Sequence, residues 1–200
     1  MPVLAQEKIE RIQDDILDAA VERFRHFGIG KTNMSEIATD VGMSTANLYR
    51  YFKNKEDIAV AASKRCLNDR IAHLQNIVEN NDVKADEKII LFFNAILEYT
   101  YDQVESNPRI NELVNIIAEK YKEVVHDKNI AERTLIKAIL SQGVEEHVFE
   151  INDLEKTTLA VHTATHIFQL PLAMTIHSLE SLKHMVTITL ELLLNGLYKK

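Results

Sequence analysis

The 200-residue sequence has few of the residues that define several classes of protein. It has one cysteine, Cys66, which excludes an intramolecular disulfide framework and a multi-cysteine zinc site. It has no tryptophan, five glycines and three prolines, and no apolar run near the ~20 residues that a bilayer span needs. The first residues, MPVLAQEKIERIQDD, lack the apolar stretch of a signal peptide. We therefore expect a cytoplasmic protein with no membrane segment.

The net charge of −7, from 30 acidic and 23 basic side chains, taken alone argues against nucleic-acid binding. The charge is unevenly distributed, however. Residues 1–70 contain 11 basic and 11 acidic side chains, whereas residues 71–200 contain 12 and 19. The segment 23–55 has six basic side chains against two acidic ones. Because salt screens charges beyond roughly 8 Å, such a segment can attract a polyanion at short range.

The chain is 46% hydrophobic and can bury a substantial core. Its apolar residues recur at three- and four-residue steps, and no segment shows the sustained alternation of a strand. We therefore predict an all-α fold of about nine helices. They span approximately Glu7–Phe27, Met34–Val41, Thr45–Tyr51, Glu56–Asn80, Asp86–Glu105, Asn107–His126, Asn129–Val144, Asn152–Leu170 and Ser181–Tyr198.

Helix ends are marked by short polar residues and glycines. Gly28 is expected to cap the first helix at its C-terminus, Gly42 to permit a sharp turn, and Ser44 to cap the third helix. Three further helix starts carry capping pairs: Asn33 with Glu36, Asn107 with Pro108, and Asn152 with Glu155.

The second and third predicted helices are short and meet at a tight turn, which is typical of a helix-turn-helix. In that motif the second helix enters the major groove of DNA. Its outward positions here hold short or hydrogen-bonding side chains that suit base edges and phosphates, namely Thr45, Ala46, Asn47, Tyr49 and Arg50. Lys55 precedes the fourth helix, whose N-terminal amides also favour phosphate. The pattern alone fits a plain helical hairpin equally well.

Residues 12–58 resemble the N-terminal domain of the TetR family of bacterial transcription repressors. The segment ILDAA with Phe24, Phe27 and Gly28 resembles the first helix of the family. The run TNMSEIATDVGMSTANLYRYFKNKEDI resembles its helix-turn-helix, at about residues 33–52. Asn33 replaces a usual threonine, and Ala46 stands where glycine is common; both should alter operator choice rather than abolish binding.

The resemblance implies a DNA-binding role for eleven residues. Phosphate contacts are expected from Thr32, Asn33, Tyr51 and Lys55, and base contacts from Thr45, Ala46, Asn47, Tyr49 and Arg50, with Ser35 and Ser44 as supplements. We predict that Asn47 and Arg50 carry much of the sequence preference, because bidentate contacts of these types discriminate strongly between bases.

The acidic second half resembles the family only in its number of helices. The resemblance implies a small-molecule pocket there and a homodimer formed by the last two helices. Those two helices are strongly apolar, which suits either a monomer core or a four-helix bundle with a second copy. The candidate pocket residues are Phe92, Phe93, Tyr99, Tyr101, Tyr121, His162, His166, Phe168 and Met174. At helical spacing these side chains equally fit an ordinary core.

No metal or cofactor site is indicated. His162 and His166 share a helix face, but no cysteine or carboxylate completes a cluster in the sequence around them. Cys66, beside Lys64 and Arg65, has no second thiol and is interpreted as a buried, inert thiol rather than a redox sensor. The carboxylates are expected to be scattered on solvent-facing surfaces, and no phosphate loop or nucleophile motif is present, so an enzyme is not expected.

The sequence therefore predicts a DNA-binding domain at residues 1–56 and a ligand-binding and dimerisation domain at residues 57–200. We expect a homodimeric repressor that binds a palindromic double-stranded DNA operator and is released by a partly apolar small-molecule effector. An alternative is a DNA-binding regulator whose C-terminal half docks a protein. An α-helical hydrolase is the third reading and would need a polar cleft with a paired acid and base.

Overall fold

The computed structural model describes residues 2–107 and 109–197. The described residues confirm the all-α prediction, with ten α-helices where nine were predicted and one 3₁₀ turn. The helices are α1 (Pro2–Phe27), α2 (Met34–Asp40), α3 (Thr45–Leu48), α4 (Lys55–Glu79), α5 (Ala85–Ser106), α6 (Ile110–Lys120), α7 (Lys122–Glu145), α8 (Leu154–Ala164), α9 (Pro171–Ile176) and α10 (Leu179–Leu197). The 3₁₀ turn is His166–Gln169, between α8 and α9.

The chain divides into two compact units. Unit 1 combines residues up to Cys66 with residues 106–124, and unit 2 combines residues 67–105 with those from 125 onward. Because residues 106–124 return to unit 1, the units are not consecutive segments of the chain. The division of function between residues 1–56 and 57–200 stays a prediction.

Unit 1 is organised around α1, α2 and α3. Its core is formed by fully buried side chains from these helices and from the start of α4, including Ile16, Ala20, Ile37, Leu48 and Ile58. Leu113 and Ile116 of α6 pack against the same core. The short helices α2 and α3 could not bury an apolar face alone, so their stability comes from α1 and α4.

Unit 2 has a larger core built from α5, α7 and α10. Phe92, Phe93 and Ile136 are fully buried there, and the two phenyl rings meet edge to face. Lys88 lies under this core and donates from Nζ to the Val78 carbonyl, 2.7 Å away, and to Gln142 Oε1, 2.6 Å away. Burial lowers the pKa of Lys88. The ammonium thus satisfies a carbonyl in the last turn of α4, which has no partner within its own helix.

The middle of the chain differs from the predicted helix boundaries. The break falls at Tyr121, so α6 and α7 replace the predicted helices Asn107–His126 and Asn129–Val144. Nothing in the local sequence marks the break, which has neither glycine nor proline. Asn107 does not cap α6, because the residue at the cap position is Arg109, and Asn107 Oδ1 accepts from the Arg109 amide instead. Its predicted partner Pro108 lies outside the described residues.

The predicted helix Asn152–Leu170 is also divided. Asp153, not Asn152, caps α8, accepting from the Lys156 amide at 3.0 Å. The α-helix ends at Ala164, and Pro171 then starts α9 rather than only ending a helix. Proline suits that first position because the amide it lacks would have no helical partner there. The predicted last residue of the final helix, Tyr198, lies outside the described residues.

Gly143 provides a test of the packing in unit 2. A methyl group at this position of α7 would overlap the ring of Phe149, which is buried. We expect Gly143→Ala to lower the free energy of unfolding by about 1–3 kcal/mol, the usual cost of overpacking a core. Urea denaturation of the full chain measures the change.

Gly196→Ala is the matched control. An added Cβ at this α10 position meets no atom within 4 Å. The variant should be unchanged or more stable by up to about 1 kcal/mol, from helix propensity alone. Equal loss of stability in both variants would contradict the packing described for Gly143.

Candidate nucleic-acid interface and buried charge cluster

Helices α2 and α3 form the predicted helix-turn-helix. The turn between them is closed by the Met43 amide, which donates to the Ala38 carbonyl at 2.9 Å. Gly42 adopts φ of +67° there, a left-handed conformation that favours glycine. Ile37, Ala38 and Leu48 are buried beneath the turn. This core fixes the angle between the two helices.

The start of α2 is held by a complete capping box. Asn33 Oδ1 accepts from the Glu36 amide at 3.2 Å, and Glu36 Oε2 accepts from the Asn33 amide at 3.0 Å. Ser35 Oγ also donates to Asn33 Oδ1, at 2.6 Å. The predicted cap is therefore confirmed. Since the side-chain oxygen of Asn33 already accepts two hydrogen bonds, its side-chain nitrogen, Nδ2, is the atom suited to donate to a phosphate.

Thr32 and Lys55 are positioned together by hydrogen bonds to the turn that precedes α2. Thr32 is 2% exposed, and its hydroxyl donates to the Gly28 carbonyl at 3.0 Å. Its side chain therefore supports the turn before α2 and does not fit the expected phosphate contact. Lys55 Nζ donates to the carbonyls of Gly30 and Thr32, at 3.1 and 2.8 Å. An ammonium has three donors, so one remains for a phosphate oxygen.

The side chains expected near bases surround α3. Ala46, Tyr49 and Arg50 are exposed, and Thr45 is half-buried. Asn47 is half-buried, with Nδ2 3.8 Å from Met43 Sδ, a weak contact that a base edge could replace. The helix itself ends at Leu48 rather than Tyr51, so Tyr49 and Arg50 extend from its C-terminal end.

Ser44 caps α3 as predicted and accepts from the Asn47 amide at 3.2 Å. Tyr51 is half-buried and packs against the core of unit 1.

A shallow depression brings several of these residues together. Six of the eleven predicted residues line it, and the other five do not. The lining residues are Thr32, Asn33, Met34, Ser35, Thr45, Tyr49, Asn54, Lys55 and Glu56. The sequence interpretation missed Met34, Asn54 and Glu56. Asn54 could have been recognised in the sequence as the cap of α4. Its Oδ1 accepts from the Asp57 amide at 2.7 Å, and asparagine at a helix start commonly accepts from the amide three residues later.

The positive charge of this surface is smaller than the sequence count suggests. Arg23 is paired with Asp40 and lies 3.6 Å from Glu36, so it ties α1 to α2. The hydrogen bond from Arg23 holds the pKa of Asp40 below its usual value. Among the described residues, Lys31, Arg50 and Lys53 make no ion pair within 4 Å. Together with the remaining donor of Lys55, these three cations are available to an anionic partner.

A second group of charges lies inside unit 2. Glu132 of α7 is fully buried and receives a short hydrogen bond from Arg70 Nη2 of α4. Its other oxygen, Oε2, lies 3.5 Å from Lys128 Nζ and 3.3 Å from His162 Nε2. Lys128 also donates to Gln169 Oε1 at 2.9 Å. We refer to Arg70, Lys128, Glu132, His162 and Gln169 as the buried charge cluster.

The buried charge cluster corrects two expectations. The carboxylates are not all on solvent-facing surfaces, and a carboxylate does join His162. The spacing of Lys128 and Glu132, four residues apart on one helix, was the only sequence signal. Within the part of the chain that the structure describes, no three His, Cys, Asp or Glu side chains are placed to hold a metal ion.

Opposing effects set the pKa values in the cluster. Burial is the largest effect on Glu132 and alone would raise its pKa. The hydrogen bond from His162 and the charges of Lys128 and Arg70 together outweigh burial, so the pKa of Glu132 is lowered. Burial lowers the pKa of Lys128 and, aided by the charge of Lys128, that of His166. Glu132 is therefore ionised and His166 neutral at neutral pH.

The predicted pocket residues only partly converge. The rings of His162 and His166 are 5.8 Å apart, and Tyr99 lies with its ring centre 6.0 Å from Arg70 Cζ. Phe168 precedes Gln169 in the 3₁₀ turn and is buried.

Four other predicted residues lie in the apolar core of unit 2 or pack against it: Phe92, Phe93, Tyr101 and Met174. Tyr121 belongs to unit 1, unlike the other predicted pocket residues, which belong to unit 2. Cys66 is half-buried. No helix among the described residues has the length and apolar character to cross a bilayer.

Glu132→Gln tests the electrostatics of the cluster. The variant leaves Arg70 and Lys128 without their counter-charge, so we expect unfolding to require about 3–5 kcal/mol less at pH 7, measured by urea denaturation. Because the pKa of Glu132 is lowered in the folded protein, its contribution to stability is complete at any pH above the pKa of glutamate in the unfolded chain, about 4.3. The contribution is lost as pH falls through the folded value, so the difference between variant and wild type should shrink below about pH 4.

Glu155→Gln is the control, because Glu155 pairs with Lys137 at the exposed surface of the same unit. It should leave stability unchanged within error. A Glu132→Gln protein as stable as wild type would contradict the charge balance described here.

Two protein-family models match the chain. The model described as bacterial regulatory proteins of the tetR family matches residues 16–62. The model described as the tetracyclin repressor-like C-terminal domain matches residues 85–186, half of the chain. The second match begins well after the helix-turn-helix, so the resemblance extends beyond that motif.

Individual proteins agree with this assignment. The fatty acid metabolism regulator protein of Bacillus subtilis is 27% identical over 142 residues, which are 66% of this chain and 70% of that protein. A transcriptional regulator from Cytophaga hutchinsonii has the same fold, with a TM-score of 0.73 at 19% identity over 92% of this chain and 97% of that one. The FadR regulator from Bacillus subtilis, solved with stearoyl-CoA, has a TM-score of 0.63 at 20% identity over 91% and 97%. The chain therefore belongs to the TetR family of bacterial transcription regulators and not to a family of enzymes.

Proposed function

We propose that this protein is a homodimeric repressor that binds a palindromic operator in the bacterial cytoplasm, where the chromosome lies, and is released by a small-molecule effector. The observation that carries the proposal is the capped helix-turn-helix whose exposed residues include Ala46, Tyr49 and Arg50. Of these exposed side chains, Tyr49 and Arg50 can form hydrogen bonds with DNA, as the second helix of this motif requires.

The contacts around α3 support a division of roles on DNA. Asn33, Ser35 and Lys55 border one depression, where a phosphate would meet one ammonium donor and a side-chain amide. Asn47 and Arg50 are at the helix that would enter the major groove. Asparagine suits the edge of adenine and arginine that of guanine, so these two residues would supply the sequence preference.

The last helices support a homodimer. Leu159 of α8 and Ile188 and Leu192 of α10 are exposed, the last at 75%. Ile188 and Leu192 are four residues apart, so they lie on one face of α10. An exposed apolar face of this kind suits burial against the same face of a second copy. A two-fold dimer would present two helix-turn-helix motifs about one DNA turn apart, roughly 34–36 Å, as a palindrome requires.

The effector is proposed to be partly apolar. The core of unit 2 is rich in large apolar side chains, including the edge-to-face pair Phe92 and Phe93. The name of the fatty acid metabolism regulator and the stearoyl-CoA in the FadR structure support an effector with an extended apolar part. Release would require that the effector bind more tightly to a conformation with low operator affinity.

Asn47→Ala combined with Arg50→Ala tests the base-contacting role. The operator is first selected from a random duplex library with the wild-type protein. Loss of two bidentate contacts of about 1–3 kcal/mol each should weaken operator binding at least tenfold and reduce the preference over random DNA. Fluorescence anisotropy measures both affinities.

Lys156→Ala is the control for this pair of substitutions, because it removes one positive charge from an exposed position of α8, as Arg50→Ala does from the helix-turn-helix. It should bind the operator like wild type. An unchanged operator affinity in the double variant would contradict the assigned roles of Asn47 and Arg50.

Ile188→Glu combined with Leu192→Glu tests the dimer. Four carboxylates brought together at a two-fold interface would repel one another, so the variant should sediment as a monomer at micromolar concentration and lose operator affinity. Leu91→Glu, at a position 48% exposed on α5, should remain dimeric. A wild-type protein that sediments as a monomer, with and without DNA, would overturn the dimer.

A further inference from the structure

The buried charge cluster has one positive charge too many. Arg70 and Lys128 are cations, and Glu132 is the single anion among them. Arg70 and Glu132 are buried, with side chains 6% and 0% exposed, and the side chain of Lys128 is 14% exposed. Burying an uncompensated charge is costly, so a folded protein normally pairs it with a counter-charge. The described side chains of the cluster do not provide that second negative charge.

The cluster also lacks hydrogen-bond acceptors. Both oxygens of Glu132 are engaged by Arg70, Lys128 and His162. The side-chain oxygen of Gln169 accepts from Lys128, which can only donate, so this contact fixes the orientation of the amide. Two buried donors, Arg70 Nε and Gln169 Nε2, have no hydrogen-bond partner among the residues that the structure describes. Each belongs to a residue that is 5% exposed.

The missing group must therefore supply one negative charge and at least two acceptor oxygens. A carboxylate meets both needs, and its hydrogen bonds with arginine are among the stronger ones in proteins. A phosphate dianion would leave the cluster with an excess of negative charge. An alcohol or a thioester carbonyl could accept a hydrogen bond but would leave the charge uncompensated, and so would a water molecule.

The surroundings indicate the rest of the ligand. The Arg70 guanidinium lies against the ring of Tyr99, with Cζ 6.0 Å from the ring centre. Phe168, next to Gln169, is buried in the apolar core of unit 2. A carboxylate bound to Arg70 and Gln169 would therefore carry its remaining atoms among apolar and aromatic side chains.

We propose that Arg70 and Gln169 bind the carboxylate of a small organic acid with an apolar body, and that this acid is the effector. The proposal rests on the effector-controlled repression proposed above, and it narrows the effector to a free acid rather than its coenzyme A thioester. Lys128 and Glu132 are positioning residues, because they hold the orientation of Gln169 and the guanidinium of Arg70.

The test uses the full-length protein and matched pairs of probes. Decanoate and 3-phenylpropionate provide an aliphatic and an aromatic acid; 1-decanol, 3-phenyl-1-propanol and decanoyl-CoA provide the uncharged and thioester counterparts. At least one acid should raise Tm in a saturable way, by about 5 °C at a hundredfold excess over its Kd. Its alcohol should raise Tm far less, and decanoyl-CoA should not compete with decanoate. No shift with either acid, or equal shifts with acid and alcohol, would overturn the proposal.

Variants locate the site. Arg70→Met and Gln169→Leu should each weaken binding of the acid at least tenfold by calorimetry, whereas Lys137→Met, an exposed cation of α7, should not. Gln169→Leu removes no charge, so it provides the measurement if Arg70→Met does not fold. Unchanged affinity in Gln169→Leu would overturn the proposal.

Gln169→Glu supplies the missing charge from the protein itself. It should raise the Tm of the ligand-free protein and abolish the shift caused by the acid. A merely structural cluster would not link these two effects, so a full ligand-induced shift in this variant would count against the site.

Operator binding separates this proposal from the proposed function. If the protein selects no duplex while the acids still raise Tm, the repressor function fails and the carboxylate site stands. If the selected operator is released by 3-phenyl-1-propanol as readily as by 3-phenylpropionate, the carboxylate site fails and the repressor function stands.

Discussion

The fully buried carboxylate of Glu132 is the constraint on which the organisation of unit 2 depends. A carboxylate without water must be held by cations and donors, and here they come from three separate segments: Arg70 on α4, Lys128 on α7 and His162 on α8. Replacing such a group with apolar residues is often neutral for stability, but removing one partner is not. The Glu132 carboxylate therefore constrains how α4, α7 and α8 are aligned more than it increases the free energy of unfolding.

The helix-turn-helix of unit 1 is specified in a different way. Its contacts are short-range: Asn33 with Glu36, Ser44 with the Asn47 amide, and the closed turn at Gly42. Arg23, from α1, is a longer-range contact that ties the motif to the preceding helix through Asp40. Local capping fixes where each short helix begins, and the buried side chains of α1 and α4 supply the stability that such short helices lack.

This difference explains what could be predicted from the sequence. The caps at Asn33 and Ser44 and the turn at Gly42 depend on residues at most five positions apart, so the pattern of residue types is sufficient. The family resemblance added the role of α3. The break at Tyr121 has no such local signal and became visible only in the folded chain.

The candidate sites follow the same rule. Ala46, Tyr49 and Arg50 could be placed at the surface because a short helix on a small core has one exposed side. The burial of Thr32 was not predicted, because it depends on a hydrogen bond from its hydroxyl to the Gly28 carbonyl that forms only in the folded chain. The buried charge cluster could not be predicted, because Arg70 and Glu132 are 62 residues apart and each looks like an ordinary surface residue in its own helix.

The net charge of residues 71–200 is opposite in sign to that of the buried charge cluster. Residues 71–200 carry 19 acidic and 12 basic side chains, which favours neither DNA nor a small anion at long range. Salt largely screens that repulsion beyond roughly 8 Å, whereas the interior cations Arg70 and Lys128 act where screening is weak. An acidic surface around a cationic interior would admit an organic acid only by close contact and burial of its apolar part. Selectivity for the apolar body would then come from the core, and selectivity for the carboxylate from the cluster.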